Sequence, residues 1–304
     1  MQFLEITTGL EFPEGPIAMP DGSVILVEIA GCRLTRVHPN GSKTTIAQLE
    51  GGPNGAAMGP DDWCYICNSG GWFYEIVEGR HRVVGQSSDN GWIERVHIHT
   101  GAIERLYETA NGQPLRSPND IVFDKNGGFW FTDHGKREGR LRDVTGVYYA
   151  AADGSFIEEV IFPMNTPNGI GLSPDEKTLY VAETLTRSLW AFDIAAPGKI
   201  NPLPWPSQNG GKRLAGLPDD NMLDSLAVDS AGNICVGSLI NGGIWVISPD
   251  GQQRTHHPLP DIYTTNICFG GLDLKTAFAT LSASGRLVAF EWPQGGLQLN
   301  YLNS

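Results

Sequence analysis

Short apolar runs recur along the chain, and each follows a polar residue and precedes a turn rich in Asp and Gly. The clearest example is TPNGIGLSPDEKTLYVAE, which begins at Thr166. Asn-Gly and Pro-Asp pairs are typical of tight turns, so Asn168–Gly169 and Pro174–Asp175 predict two turns, with an apolar strand between them and another after them. We interpret the segment as the start of a β-hairpin.

The same pattern occurs five more times along the chain. The related segments are FPEGPIAMPDGSVILVE at Phe12, GPNGAAMGPDDWCYICN at Gly52, SPNDIVFDKNGGFWFTD at Ser117, MLDSLAVDSAGNICVGS at Met222 and TTNICFGGLDLKTAFAT at Thr264. The polar residues at equivalent positions are separated by 40, 65, 49, 56 and 42 residues, and they are Glu14, Asn54, Asn119, Asn168, Asp224 and Asn266. Spacings of this size match propeller blades with insertions.

Six such units predict an all-β fold, a six-bladed β-propeller that forms a single domain over residues 1–304. A third apolar strand often follows the hairpin, as in RLTRVHP, SLWAFDI and RLVAFEW. A lone repeat cannot bury its apolar face, so the ring has to close. We expect either the N-terminal QFLEIT or the C-terminal LQLNYL to supply the outer strand of the last blade. An irregular β-sandwich would not explain six equivalent positions.

Composition narrows the range of partners. The chain has 34 acidic and 21 basic residues, a formal net charge of −13 and no basic cluster, so neither nucleic acid nor a membrane is an expected partner. The segment MQFLEITTGLEF lacks the basic and apolar regions of a signal peptide, and we expect a cytoplasmic location.

The five cysteines do not suggest a disulfide framework. Cys64 and Cys67 lie in a strand-like segment, where buried, inert thiols are expected.

The six polar positions carry the candidate chemistry. The first strand of each propeller blade lines the central channel, so residues just before it converge near the axis. All six side chains offer oxygen, and two carboxylates among amide oxygens suit a hard divalent cation such as Ca²⁺ or Mg²⁺. Asn and Asp also form turns that cap strands without binding a ligand. From the residues alone, both interpretations are open.

Taken in order, these segments resemble the motifs of the senescence-marker-protein/gluconolactonase (regucalcin-like) family of metal-dependent lactonases, which is related in fold to diisopropyl fluorophosphatase. FPEGP resembles the family's E-G-P motif, SPNDIVFDKNGGFWFTD its N-D motif, TPNGIGLSPDEKTLYVAET its N-G motif, LDSLAVDSAGNICVGS its D-G-x-x-x-D motif and TTNICFGG a late signature. The resemblance implies one catalytic divalent cation on the axis, with Ca²⁺ preferred and Zn²⁺, Mn²⁺ or Mg²⁺ as alternatives. It makes Glu14, Asn168 and Asp224 direct ligands, and Asn119 a direct or water-mediated ligand.

The activity that the resemblance implies is hydrolysis of a small lactone, for which a sugar acid lactone is one candidate. A bound cation would polarise the lactone carbonyl and lower the pKa of a water molecule. Either Asp224 or Asp120 would then accept the proton from the attacking water. Candidate substrate-binding residues are Arg116, which lies where family members carry a basic residue, together with Asn119 and His134.

Two positions depart from the family pattern. Ser225 replaces the glycine that usually follows the ligand aspartate, and FTDHGKREGR places His134 where many relatives carry proline. His134 therefore either contacts the substrate or lies in a surface loop. The pocket rim is expected to come from the insertions at 71–90, 133–144 and 197–217.

Other functions fit the same scaffold. The alternatives are a phosphotriesterase-like hydrolase, whose P=O group the same cation would activate, and a non-enzymatic metal-binding propeller. A condensing enzyme of the strictosidine-synthase type is disfavoured because those relatives lack this ligand set. The fold alone does not decide between them, but a second acid, Asp120, beside the two carboxylates favours catalysis.

Overall fold

The computed structural model describes residues 2–303, and in this part of the chain every regular element is a β-strand. The first thirteen strands are β1 (Leu4–Thr7), β2 (Pro13–Ala18), β3 (Val24–Glu28), β4 (Arg33–Val37), β5 (Lys43–Gln48), β6 (Pro53–Met58), β7 (Trp63–Asn68), β8 (Trp72–Val77), β9 (Arg80–Gln86), β10 (Trp92–His97), β11 (Ile103–Tyr107), β12 (Thr109–Ala110) and β13 (Gln113–Pro114).

The remaining strands are β14 (Pro118–Phe123), β15 (Gly128–Asp133), β16 (Arg137–Glu138), β17 (Leu141–Arg142), β18 (Thr145–Ala151), β19 (Ile157–Met164), β20 (Pro167–Leu172), β21 (Thr178–Glu183), β22 (Ser188–Ala196), β23 (Lys199–Asn201), β24 (Lys212–Gly216), β25 (Asn221–Val228), β26 (Ile234–Ile240), β27 (Ile244–Ile247), β28 (Arg254–His257), β29 (Thr264–Gly270), β30 (Thr276–Leu281) and β31 (Arg286–Glu291). Residues 2–303 contain no helix that is long and apolar enough to cross a membrane.

Six antiparallel sheets form the blades of a β-propeller, which confirms the predicted fold. From the inner strand outwards, the blades are β2–β5; β6, β7, β10 and β11; β14, β15, β18 and β19; β20–β23, with β24 beside β22; β25–β28; and β29, β30, β31 and β1. The N-terminal strand β1 therefore completes the last blade, with Leu4 opposite Ala289. Of the two closures expected from the sequence, the structure has the N-terminal one.

The apolar core is divided among the contacts between neighbouring blades. Six clusters of buried side chains occur, one for each pair of adjacent blades. Cys64 and Cys67 belong to two of these clusters, and both are free thiols. Burial raises the pKa of Cys64 to about 12, so this thiol stays protonated and inert, as the sequence predicted.

The innermost strand of every blade contains an irregular register beside its polar residue. In β2, for example, the shift lies between Glu14 and Ile17, and the same irregularity occurs in β6, β14, β20, β25 and β29. A bulge re-aims the side chain at which it occurs. By their strand bounds the polar residues lie inside the inner strands, whereas they were predicted from the sequence to lie just before those strands.

Gly169 differs from its predicted role. It lies within β20, so the turn predicted at Asn168–Gly169 is wrong, while the turn at Pro174–Asp175 is confirmed between β20 and β21. A Cβ atom on Gly169 would lie 2.6 Å from the Asp224 carbonyl oxygen and 2.7 Å from the Leu226 nitrogen. This glycine therefore allows the inner strands of the fourth and fifth blades to approach closely.

Strands β8 and β9 form a hairpin outside the blades, within the predicted insertion at 71–90. Its turn is formed by Glu78 and Gly79, whose φ angles of 52° and 74° are those of a two-residue hairpin turn with left-handed residues. Alternate side chains face in opposite directions. Trp72, Tyr74 and Val83 face a cavity at the channel, whereas Phe73 and Val84 are exposed.

Candidate active site

Five of the six polar residues of the inner strands line one cavity of ≈ 250 Å³, and they are Glu14, Asn54, Asn119, Asn168 and Asp224. Their exposed fractions lie between 2% and 8%. Because the bulges turn these side chains away from the ordinary strand alternation, the floor of the cavity consists of carboxylate and amide groups.

The sixth residue, Asn266, supports the floor from behind. Its Nδ2 donates to Glu14 Oε2 at 2.8 Å, and its Oδ1 accepts a hydrogen bond from the Ile267 nitrogen at 2.8 Å. The Gly15 nitrogen also donates to Glu14 Oε2. Asn266 therefore orients Glu14 and leaves the other carboxylate oxygen free of these contacts.

The charged forms of the two carboxylates of the floor, Glu14 and Asp224, are disfavoured by their environment. Burial raises the pKa of Asp224 to about 7, against a hydrogen bond from Asn168 that lowers it. Burial and then the charge of Asp224 hold the pKa of Glu14 well above its ordinary value. A bound divalent cation would offset both the burial and the mutual repulsion of these groups.

Asn119 supplies an independent indication of a ligand site. Its Oδ1 is buried and has no hydrogen-bond partner. An unsatisfied buried acceptor costs roughly 1–3 kcal/mol, so a group that binds this oxygen would recover that cost. Among residues 2–303 no three His, Cys, Asp or Glu side chains are grouped to hold a metal, and a cation site here therefore depends on the asparagine oxygens.

Asn168 connects two parts of the floor. Its Nδ2 donates to Asp224 Oδ1 at 2.6 Å and to Thr184 Oγ1 at 3.1 Å. Ser225 Oγ donates to Asn168 Oδ1 over a long 3.4 Å, so Ser225, which departs from the family pattern, contacts a candidate ligand. Taken with Glu14, Asp224 and Asn119, this donor set fits a hard divalent cation.

Asp120 points to a different part of the channel from Asp224. Its Oδ1 accepts from the Ile121 nitrogen at 2.9 Å and its Oδ2 from the Ile170 nitrogen at 3.3 Å. Burial raises its pKa to about 7, although these backbone hydrogen bonds lower it. Asp120 lines a second cavity of ≈ 140 Å³, farther along the inner strands, together with C-terminal residues 297–300 and 302. Its role as a proton acceptor stays a prediction.

His134 lines the same cavity as the polar floor and is 8% exposed. Burial lowers its pKa to about 4, so the imidazole is neutral near pH 7. Its Nδ1 is buried without a hydrogen-bond partner, and its ring centroid lies 6.1 Å from that of Trp72. The structure therefore places His134 in the same cavity lining as the candidate ligands, with a ring nitrogen that no protein group hydrogen-bonds.

Arg116 does not line this cavity. Its Nε donates to Asp143 Oδ2 at 2.8 Å, and its Nη1 donates to Asn90 Oδ1. About a third of the side chain is exposed. A contact with a substrate would require the substrate to reach the rim, and this role stays a prediction.

The upper wall of the cavity was not identified from the sequence. It is rich in aromatic and aliphatic side chains, including Phe12, Trp72, Tyr74 and Tyr263. The alternation in WFYEIVEGRHRVV could have indicated a hairpin with one apolar face. Of the three insertions expected at the rim, those at 71–90 and 133–144 supply lining residues, whereas none from 197–217 lines the cavity.

Residues 12–283 match the family model described as the SMP-30/Gluconolactonase/LRE-like region. A gluconolactonase from Zymomonas mobilis is 25% identical over 302 residues, which cover 87% of this chain and 75% of that protein.

Solved structures share the architecture. A gluconolactonase from Xanthomonas campestris matches with a TM-score of 0.75 and 23% identity, over 96% of this chain and 89% of that one. Regucalcin from Agrobacterium tumefaciens, a calcium-binding protein, matches with a TM-score of 0.74 and 18% identity, over 99% and 98% of the two chains. At these identities the structural matches establish the fold.

Proposed function

Because the chain belongs to the SMP-30/gluconolactonase/LRE-like family, we propose that it is a divalent-metal-dependent lactonase that opens a small lactone. The observation that carries the proposal is the convergence of two buried carboxylates and an unpaired amide oxygen on one cavity floor. Lactone hydrolysis also agrees with the name of the relative from Zymomonas mobilis.

We assign Glu14, Asn119, Asn168 and Asp224 to the cation, with Ca²⁺ preferred and Zn²⁺, Mn²⁺ or Mg²⁺ as alternatives. A divalent cation held there would supply a Lewis acid for the lactone carbonyl and would lower the pKa of a nearby water molecule. Asn168 fixes the orientation of Asp224 through its 2.6 Å hydrogen bond, and Asn266 fixes that of Glu14 at 2.8 Å.

Hydrolysis adds water to the carbonyl carbon and breaks the ring C–O bond, so that the product is a single hydroxy acid, which releases its carboxyl proton to solvent near pH 7. We assign Asp224 as the acceptor of the proton from the attacking water, because it lines the cavity whereas Asp120 lines the one behind it. The accepted proton is then available to the leaving ring oxygen. The neutral His134 is proposed to donate a hydrogen bond to a lactone oxygen from Nδ1, which requires the tautomer that carries its proton on Nδ1.

The test compares hydrolysis of δ-valerolactone before chelation, after removal of metals with EDTA, and after reloading with each of the four cations. We expect activity to disappear on chelation and to return on reloading. Activity that survives complete metal removal would refute metal dependence. A parallel assay with a phosphotriester such as paraoxon distinguishes the alternative hydrolase, which would turn over the phosphotriester and leave lactones intact.

A matched pair of variants locates the chemistry. Asp224→Asn should abolish hydrolysis without unfolding the propeller, because the side chain lies on the cavity floor and outside the apolar clusters. Asp220→Asn changes an exposed aspartate of the same blade region and should retain wild-type turnover. Equal activity of the two variants would exclude Asp224 as ligand and as proton acceptor.

A further inference from the structure

The wall above the polar floor is largely apolar. No lysine or arginine occurs among the described residues that line the cavity. The aliphatic and aromatic lining residues include Phe12, Ile29, Trp72, Val83, Leu239 and Ile240. These side chains bind hydrocarbon groups through burial and cannot hydrogen-bond a hydroxyl group.

Several polar groups of the wall are already engaged within the protein. Thr184 Oγ1 accepts a hydrogen bond from Asn168 Nδ2 at 3.1 Å. Thr265 Oγ1 pairs with Ser282 Oγ at 2.6 Å and with Thr280 Oγ1 at 2.8 Å. Thr265 therefore has little capacity left for a ligand, whereas the Thr184 hydroxyl keeps its proton as a single donor.

Two other polar groups of the wall are buried and unpaired, the Tyr74 hydroxyl and His134 Nδ1. A lactone needs hydrogen bonds at its two oxygens, and these groups together with the floor suffice for that. A sugar lactone carries a hydroxyl on most ring carbons and would leave several of them against hydrocarbon. Each unpaired hydroxyl would weaken binding by roughly five- to a hundredfold.

The backbone conformation at two positions of the wall indicates that large apolar side chains are retained there despite a conformational cost. Phe12 and Ile240 both line the cavity, and their φ angles are 58° and 75°. The left-handed region is costly for bulky and especially for β-branched residues. Glycine or asparagine would adopt it more easily, so these positions retain a large apolar side chain against the local backbone preference.

We propose that the substrate is a lactone with an apolar alkyl or aryl arm rather than a polyhydroxylated sugar lactone. The proposal rests on the lactone hydrolysis proposed above. The arm packs on the inner face of the β8–β9 hairpin, at Trp72 and Val83, while Tyr74 and His134 bind the polar atoms of the lactone group.

Three six-membered lactones test the proposal, since they share a ring and differ in their substituents. These are δ-decanolactone with an alkyl arm, unsubstituted δ-valerolactone and the polyhydroxylated D-glucono-δ-lactone. After subtraction of spontaneous hydrolysis, kcat/KM of the cation-loaded protein should be highest for δ-decanolactone and lowest for D-glucono-δ-lactone. A value for D-glucono-δ-lactone equal to or above that for δ-decanolactone would overturn the proposal. Hydrolysis of none of the three would instead refute the lactonase function itself.

Two pairs of adjacent residues provide matched variants. Trp72 and Val83 face the cavity, whereas Phe73 and Val84 are 57% and 49% exposed on the other side of the hairpin. Trp72→Ala should lower kcat/KM for δ-decanolactone by on the order of tenfold or more, and Val83→Thr by about fourfold, because each substitution reduces the apolar surface against which the arm is buried. Both factors should be smaller for δ-valerolactone.

Phe73→Ala and Val84→Thr should match the wild type with both substrates. A fall that is equal for δ-decanolactone and δ-valerolactone in the inward-facing variants would show that no arm binds there. Val83→Thr preserves the shape of the side chain, so it keeps the test decisive if Trp72→Ala does not fold.

Discussion

Substituting Gly169 with alanine tests the idea that close approach of two inner strands positions the catalytic floor. The added Cβ atom would lie 2.6 Å from the Asp224 carbonyl oxygen and 2.7 Å from the Leu226 nitrogen. Ordinary van der Waals contact of a Cβ begins at 3.4 Å. The fifth blade's inner strand must therefore move by about 0.8 Å, and both contacts are with backbone atoms that cannot rotate away.

The displacement has two separable effects. Overpacking of this kind costs roughly 1–3 kcal/mol of unfolding free energy, which corresponds to a fall in Tm of about 2–5 °C for a chain of this length. Asp224 is the residue that is pushed, and misplacement of a reacting group by nearly an ångström costs on the order of 100-fold in rate. We therefore expect kcat/KM to fall by roughly 10- to 100-fold, beyond what the modest loss of stability explains.

Gly171→Ala is the matched control on the same strand. Its Cβ atom would meet Leu226 Cδ1 at 2.7 Å and Val228 Cγ2 at 3.2 Å, which are side-chain atoms. Because those side chains can change rotamer, this variant should lose some stability and keep its activity. Thermal unfolding, lactone kinetics and calorimetric Ca²⁺ titration of both variants provide the measurements. Equal activity and equal Ca²⁺ affinity in the two variants would refute the reasoning.

Three further predictions address other parts of the molecule. Asn119→Leu removes an unpaired buried oxygen, so Ca²⁺ affinity should fall at least about tenfold while the cation-free protein keeps its stability or gains about 1 kcal/mol. Urea unfolding with and without Ca²⁺ measures both effects, and stabilisation by Ca²⁺ equal to that of the wild type would show that the oxygen is not a ligand. His134→Ala should lower kcat/KM by roughly 10- to 100-fold with Ca²⁺ affinity unchanged, and by more than Arg116→Ala, because only His134 lines the cavity. A larger fall in kcat/KM for Arg116→Ala than for His134→Ala would instead place substrate recognition at the rim. Burial of Glu28 disfavours its charge, but hydrogen bonds from Arg33 and other donors hold its pKa below the ordinary 4.5. The stability that Glu28 contributes is therefore present above about pH 4.5 and is lost as pH falls through the lower folded-state pKa. The difference in urea midpoint between the wild type and Glu28→Gln should shrink over that range, and a constant difference would contradict this.

The repeated blade pattern could be predicted because it follows from strand alternation and spacing. Equivalent positions in successive repeats have equivalent places in a closed ring, so Glu14, Asn168 and Asp224 could be brought together without coordinates. The sequence also predicted that the chain's own first or last segment must close the ring. Both predictions depend only on the order of the elements along the chain, and neither requires knowing where a particular side chain points.

Side-chain direction explains what could not be predicted. Asp120 directly follows Asn119, yet the bulge turns the two side chains toward different cavities. The resemblance suggested that Arg116 binds the substrate, and its position in the sequence did not reveal that its guanidinium donates hydrogen bonds to Asp143 and Asn90. The Asn168–Gly169 pair was interpreted as a turn, whereas this glycine is needed because the backbone of the neighbouring blade approaches it closely. That backbone is at Asp224, far along the chain, so the contact is not visible in the local sequence.

Completion of the last blade by β1 also constrains how the protein reaches its folded state. Leu4 pairs with Ala289, so this sheet joins residues far apart in the sequence and cannot form until the chain has been synthesised through β31. Contacts of such large sequence separation form late, because their loop-closure entropy must be overcome first. Until then β31 has an open edge, and an unpaired edge strand is a site for aggregation. Damage to β1 would therefore appear first as a lower yield on refolding, and only later as a lower melting temperature.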